Sequence, residues 1–186
     1  MPSDRQKLRG LVLAEDKRTE RFFRNLLEVL GFKTRSFRFQ TAPAGQGAAE
    51  AWVARRYPDE VKVLRSRNYQ QGLRLIAVRD GDDVGLDRRK QQLDQALRSA
   101  GLAGRHADEG IATPVPARNI ETWLLALLGA AHLDETTDYK RRFEKEHGAP
   151  EKRSVLRDAA SAWKNTGQTS LPSLRDGTTE MERLDQ

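Results

Sequence analysis

The chain of 186 residues is long enough for one large domain, or for a domain with a helical appendage. Its 37% hydrophobic and 32% charged residues are typical of a polar-surfaced protein that buries a core. The absence of cysteine excludes disulfides and thiolate metal centres. A net charge of +6, from 33 Lys and Arg against 27 Asp and Glu, favours polyanionic partners without proving one.

Neither a secretion signal nor a membrane span is predicted. The segment from Met1 to Gln6 lacks the apolar centre of a signal peptide. No apolar run approaches the ~20 residues that a membrane-spanning helix needs. We therefore expect a soluble, cytoplasmic protein without a membrane partner. A homo-oligomer is compatible with the sequence, which fixes no oligomeric state.

The chain begins with the pattern of an α/β unit. Lys7 to Ala14 is predicted as the first strand, and Glu15 and Asp16 follow it directly. A helix with one wide apolar stripe is predicted from Arg18 to Leu30. A strand, an acidic turn and a helix in this order indicate an α/β fold.

The next segment predicts a second strand and then two helices. Phe32 to Phe39 alternates bulky and basic residues, as expected for a strand near the edge of a sheet. The loop from Gln40 to Gly47 lacks the GK[ST] ending of a P-loop. A helix is predicted from Ala48 to Tyr57, and Pro58 suits the first turn of a further helix.

A buried strand that ends in carboxylates is the main candidate for a site. Leu73 to Arg79 is rich in branched apolar residues, as in the middle of a parallel sheet, and open α/β sheets bind ligands at the carboxyl ends of such strands. Asp80 and Asp82 repel each other when ionised, and a divalent cation would relieve that repulsion. The alternative is a solvated turn in which Asp83 or Asp87 caps the next helix.

The helix predicted from Leu86 to Ala100 begins with Arg88, Arg89 and Lys90. Positive charge there opposes the helix dipole, so the preceding carboxylates or a bound phosphate must offset it. These three residues, together with Arg118, are the predicted phosphate or nucleic-acid contacts.

A third strand end brings a further acid. Gly110 to Pro116 is predicted as a short strand, and Arg118 to Leu128 as an apolar helix with Glu121 in its first turn. The helix dipole alone also favours a glutamate there. In a parallel sheet, Glu121 would converge with Glu15, Asp80 and Asp82. Hard oxygen ligands of this kind select Mg²⁺ or Mn²⁺.

The last third of the chain is predicted as a helical appendage. Asp134 to His147 is predicted as a helix by propensity, and Pro150 to Lys164 as another helix. Asn165 to Thr169 is predicted as a loop, and Leu171 to Arg175 opens a last short helix.

An apolar strand ending in glutamate, and a later one ending in Asp-x-Asp, resemble the Toprim domain of topoisomerases, bacterial primases and OLD-type nucleases. The resemblance covers roughly Leu8 to Leu128. It implies that Glu15 is a metal ligand or general acid/base and that Asp80 and Asp82 are metal ligands. Two positions depart from the family pattern: Asp16 replaces the usual small glycine, and Arg79 replaces an apolar residue and could pair with a site carboxylate.

Two further segments look like the small stand-alone Toprim-like proteins typified by RloB. They are the Pro-x-Arg-Asn-Ile-Glu-x-Trp-Leu segment, from Pro116 to Leu124, and the Leu-Pro-Ser-Leu-Arg segment, from Leu171 to Arg175. This resemblance implies Glu121 as a further site acid and an effector role in bacterial anti-phage loci, often beside an ABC-type ATPase.

The leading expectation is an α/β, Toprim-like (Rossmannoid), mostly parallel domain over residues 1–130, with a C-terminal helical extension over residues 131–186. Its expected activity is Mg²⁺- or Mn²⁺-dependent cleavage of DNA or RNA. The rival expectation is a catalytically silent or toxin-like regulatory module that an ATPase partner controls. A third is phosphoryl transfer on a small molecule.

Overall fold

The computed structural model describes residues 4–43, 49–67 and 72–186. Its strands are β1 (Arg9–Ala14), β2 (Phe37–Thr41), β3 (Leu73–Ala77) and β4 (Ile111–Ala112). They form one sheet in the order β2-β1-β3-β4, and every neighbouring pair is parallel. The predicted α/β class and parallel sheet are therefore confirmed, and β2 lies at an edge, as its sequence indicated. The strand predicted from Phe32 begins only at Phe37, because Thr34–Ser36 forms a 3-10 helix. The strands predicted to end at Arg79 and at Pro116 end earlier, at Ala77 and Ala112.

Helices cover both faces of the sheet, as in Rossmann-like folds. They are α1 (Lys17–Val29), α2 (Ala49–Ser66), α3 (Gly85–Ser99), α4 (Ile120–Leu127), α5 (Lys140–His147), α6 (Arg153–Ala162) and α7 (Pro172–Glu182). Val12 and Ile76 belong to the core shared with α1 and α4 to α7, whereas Leu11, Leu13 and Leu75 belong to the core shared with α2 and α3. The central strands are apolar on both faces because helices bury both faces.

The helices after residue 130 belong to the same core as the sheet. Trp123 of α4 is fully buried, and its indole Nε1 donates a hydrogen bond to Ser173 Oγ at 2.8 Å. The backbone N–H of Ser173 donates in turn to Glu135 at 2.7 Å. The Leu-Pro-Ser-Leu-Arg segment thus attaches α7 to α4, a packing role that its sequence did not reveal.

Pro58 does not divide α2, contrary to the sequence prediction of two helices. One helix runs from Ala49 to Ser66 with Pro58 inside it; Ala48, where the first was predicted to begin, lies outside the described residues. A proline inside a helix removes one backbone hydrogen bond. Burial of Val53, Tyr57 and Val61 against the sheet offsets that loss on both sides of the proline.

Three predictions in the last third are also wrong in their boundaries. The helix expected from Asp134 begins only at Lys140, because the Asp134 carboxylate accepts hydrogen bonds from the backbone of Thr136 and Thr137 and stabilises a turn instead. The expected loop at Asn165–Thr169 lies largely within a 3-10 helix, Trp163–Gln168. The last helix, α7, is longer than the short one predicted.

A helix that spans a membrane must be both long and apolar. Among the described residues, none of the helices combines the length and the apolar character needed to cross a bilayer.

Replacing Gly177 by alanine tests the contact between α7 and α4. A Cβ atom at Gly177 would lie 2.3 Å from Trp123 Cη2. Alanine normally favours a helix over glycine by about 1 kcal/mol, but overpacking costs about 1–3 kcal/mol. We therefore expect Gly177→Ala to lower the free energy of unfolding in urea denaturation.

Gly104→Ala is the matched control, because no atom lies within 4 Å of the added Cβ there. That variant should be neutral or slightly more stable, since alanine restricts the unfolded chain. Equal stability of the two variants would contradict the packing of α7 on Trp123.

Candidate functional site

The parallel pairing of β1 and β3 brings the first two acids together. Leu13 pairs with Ala77, and the Val78 N–H donates to Leu13 O at 2.8 Å, so pairing continues to the ends of both strands. Two residues further along, Arg79 Nε lies 3.3 Å from Glu15 Oε1. The ion pair expected between Arg79 and a site carboxylate is therefore present, with both side chains largely buried.

The loop after β3 is held against the loop after β4 by the backbone. The Gly81 N–H donates to Pro116 O at 2.7 Å, and the Asp82 N–H donates to Arg118 O at 2.8 Å. A Cβ atom at Gly81 would lie 1.8 Å from the carbonyl oxygen of Ala117. Only glycine allows this close approach, which holds the Asp80–Asp82 loop beside the segment that precedes α4.

Arg89, near the start of α3, stabilises the Asp80–Asp82 loop. Its guanidinium is 1% exposed, and it donates to Asp80 O and to Asp82 Oδ2, both at 2.8 Å. Asp82 itself has a φ of 48°, in the left-handed region, so this ion pair holds an unusual backbone conformation. Arg89 was predicted as a phosphate contact; the structure instead places it in the interior, where it positions the two aspartates.

Glu121 lies in the first turn of α4, which Asn119 caps by accepting from the Thr122 N–H. The glutamate is 1% exposed, and its Oε1 accepts a short hydrogen bond from Arg18 of α1. Arg18 also contacts Glu151 at 3.0 Å. The fourth predicted acid is therefore in the same region, with one oxygen engaged by an arginine.

Burial and the charges of nearby carboxylates raise the pKa values of Glu15 and Asp80. Burial, opposed by Arg79 and assisted by the charge of Asp82, raises the pKa of Glu15 to about 7. Burial, together with the charges of Glu15, Asp16 and Glu121, raises the pKa of Asp80 well above its usual range. These groups influence one another because they face a common space at the carboxyl edge of the sheet.

The donor chemistry of this edge fits a hard divalent cation. Asp80 Oδ1 and Glu121 Oε2 are buried and have no hydrogen-bond partner among the described residues, a state that a buried carboxylate oxygen rarely keeps. Within residues 4–43, 49–67 and 72–186, however, no three acid, histidine or cysteine side chains are gathered as a metal-binding group. The acids therefore lie near one another, and two of their oxygens lack hydrogen-bond partners among the described residues, but they do not form a complete set of metal ligands.

Two basic residues at this edge were missed by sequence reasoning. Arg18 holds Glu121, and Lys140 of α5 faces the acids from the C-terminal third of the chain. Burial lowers the pKa of Lys140, but the charges of Glu121, Asp80 and others outweigh burial, so its pKa is raised. No local pattern marks either residue, because each meets the acids only through the tertiary fold.

The remaining predicted phosphate contacts lie in different surroundings. Arg88 is exposed at the start of α3. Lys90 instead pairs with Asp176 at 2.6 Å and also contacts Glu180 of α7. Arg118 makes a short ion pair with Asp83. Val84 precedes α3 as its cap without a side-chain hydrogen bond, so the predicted capping role of Asp83 or Asp87 is wrong.

Comparison of the chain with protein-family models, with curated proteins and with solved structures finds no match.

The raised pKa of Glu15 predicts an unusual pH dependence of stability. An acid with a pKa of 4.5 when unfolded and about 7 when folded binds more protons in the folded state between these values. Stability from this group is complete below pH 4.5 and is lost as pH rises through 7. In metal-free protein, Glu15→Gln should remove this loss and raise the free energy of unfolding at pH 8 by at most about 3 kcal/mol, with little gain at pH 4.5.

Glu20→Gln is the control with the opposite sign. Burial raises the pKa of Glu20, but hydrogen bonds from Arg24 and Lys17 outweigh burial and lower it overall. That carboxylate stabilises the fold above its unfolded pKa, so its amide variant should be less stable at pH 8. Urea denaturation in EDTA at both pH values measures both variants, and a destabilised Glu15→Gln at pH 8 would contradict the assignment.

Arg89 and its neighbour Arg88 offer a second matched pair. Arg89→Gln should lower the free energy of unfolding by about 1–3 kcal/mol, because it removes the hydrogen bonds to Asp80 O and Asp82 and leaves a buried acceptor unsatisfied. Arg88→Gln, at an exposed position, should stay within about 0.5 kcal/mol of the native chain. Chemical denaturation measures both values, and equal losses would contradict the positioning role of Arg89.

Proposed function

We propose that the chain is a Toprim-type, metal-dependent nuclease that cleaves phosphodiester bonds in DNA or RNA. The observation that carries the proposal is Asp80, which is buried just after a central strand. Within the described residues one of its oxygens has no hydrogen-bond partner, and the charges of other carboxylates raise its pKa. When the acids are ionised, such an arrangement is unfavourable without a cation, and buried acids with perturbed pKa values at a strand end are typical of functional sites.

Glu15, Asp80 and Asp82 would hold Mg²⁺ or Mn²⁺, with Glu121 as a further site acid. When bound, such an ion polarises a phosphodiester and stabilises negative charge on its oxygens. Glu15 has a pKa near neutral pH and is therefore suited to accept or donate a proton there. Arg79 and Arg89 orient Glu15 and Asp82, and exposed Arg88 is available to a phosphate group.

Asp80→Asn and Asp83→Asn form the decisive pair of variants. Both lie in the same loop, but Asp80 is buried among the acids, whereas Asp83 is exposed and pairs with Arg118. With Mg²⁺ or Mn²⁺, we expect the native chain to nick or degrade nucleic acid. Asp80→Asn should lose about a hundredfold or more of that activity, and Asp83→Asn should keep it.

Glu15→Ala is expected to lose activity as Asp80→Asn does. The measurement is cleavage of plasmid DNA and of labelled RNA, with and without EDTA. Activity that survives both the loss of Asp80 and the loss of Glu15 would overturn the nuclease proposal.

A second candidate function is a regulatory or toxin-like module that an ABC-type ATPase controls. It is favoured by the engagement of Glu121 with Arg18 and of Asp82 with Arg89, which leaves those acids only partly available to a cation. Co-expression with an ATPase encoded beside the chain, followed by pull-down, separates the candidates. A stable complex whose toxicity survives Asp80→Asn would favour the module over the nuclease.

A further inference from the structure

A groove lies between the edge strand β2 and helix α2, away from the acids. It encloses about 340 Å³, and the described residues that line it include four arginines and one acid. Arg38 pairs in register with Leu11 of β1, so both side chains lie on the α2 side of the sheet. Leu11 is buried there, whereas Arg38 is exposed at the uncovered edge.

Two arginines of this groove have no counter-ion among the described residues. Its one acid, Glu60, already pairs with Arg56 of the same helix. Arg38 and Arg67 are exposed, and within the described part of the chain neither makes an ion pair or a side-chain hydrogen bond. Two such guanidinium groups in a shared concavity suit phosphate groups, because their fork matches two phosphate oxygens.

The groove lies on the same side of the sheet as Glu15. Glu15 contacts Arg79, whose guanidinium donates to Gln92 of α3, and α3 packs with α2 on the face that buries Leu11. At about 3.3 Å per residue, the distance along the strand from Arg38 to the acid edge is roughly 13 Å. Stacked nucleotides rise 3.4 Å each, so the gap corresponds to about four nucleotides.

The geometry points to a phosphate-binding groove at Arg38 and Arg67 that holds the backbone of a polynucleotide whose scissile bond lies at the carboxylate edge. The position of the scissile bond in this inference rests on the proposed nuclease function, whereas the binding of phosphate by the groove does not. A substrate much shorter than four nucleotides would reach the acids without touching the groove. The groove would therefore bind polymers and leave the chemistry at the acids unchanged.

The test compares two double variants that each remove two positive charges. Arg38→Gln with Arg67→Gln changes the groove, whereas Arg98→Gln with Arg157→Gln changes exposed helix positions that do not line it. Binding of a labelled 30-nucleotide strand is measured by fluorescence anisotropy in EDTA over a range of salt concentrations. The groove variant should bind about tenfold more weakly, and its slope of log affinity against log salt should fall by about 1.5.

Three further measurements complete the test. Thermal unfolding should show that both double variants remain folded, and the lysine version, Arg38→Lys with Arg67→Lys, should retain most of the binding. Hydrolysis of bis(p-nitrophenyl) phosphate with Mn²⁺ should be the same in the groove variant and the native chain. This small diester reports on the acids alone.

Equal binding by the two double variants would overturn the inference. Binding of polyglutamate as tight as that of the oligonucleotide, and equally dependent on Arg38 and Arg67, would overturn it too, since it would assign the groove to an acidic protein. Because binding is measured in EDTA, absence of cleavage by the native chain would defeat the nuclease proposal without deciding about the groove.

Discussion

The burial of Asp80 at the end of β3 is the constraint on which the arrangement of this edge depends. Its backbone carbonyl is fixed by Arg89, and its side chain lies in an interior that other carboxylates also face. Ionised acids so close together are unfavourable unless cations lie among them. Arg79 supplies one for Glu15, and Arg18 supplies one for Glu121. Asp80 Oδ1 has no donor within the described residues, and it is the position that would gain most from a bound cation.

Residues of the C-terminal third of the chain also contribute charges that act on these acids. Arg18 joins Glu121 of α4 to Glu151, which precedes α6, and its guanidinium lies 5.1 Å from the ring of Phe143 in α5. Lys140, at the start of α5, contributes its charge to the same acids. An arginine that is only 17% exposed and is shared by two buried glutamates is costly to disrupt, because its loss leaves their charges unbalanced. The helical extension is therefore coupled to the site electrostatically as well as through the core.

The sequence predicted what local patterns determine. Apolar periodicity identified the α/β class, the parallel sheet and the strand ends that carry Glu15 and Asp80. The sequence indicated only that Arg79 could pair with a site carboxylate, and the parallel register of β1 and β3 makes Glu15 that carboxylate. The partner of Glu121 was not predictable, because Arg18 is 103 residues away and reaches it only in the folded chain. Likewise, Pro58 indicated a helix boundary, and only burial against the sheet keeps α2 continuous.

The arginines of this chain fall into two groups, one paired with interior carboxylates and one exposed to solvent. The guanidinium groups of Arg18, Arg79 and Arg89 lie in the interior, where they stabilise carboxylates and leave little surface for a polyanion. Exposed Arg38 and Arg67 are the ones whose charge reaches solvent beside a concave surface. Net charge alone therefore does not locate a binding surface: an arginine near the proposed chemistry is here mostly a structural counter-ion, and the surface that suits a phosphate backbone begins on the uncovered edge strand.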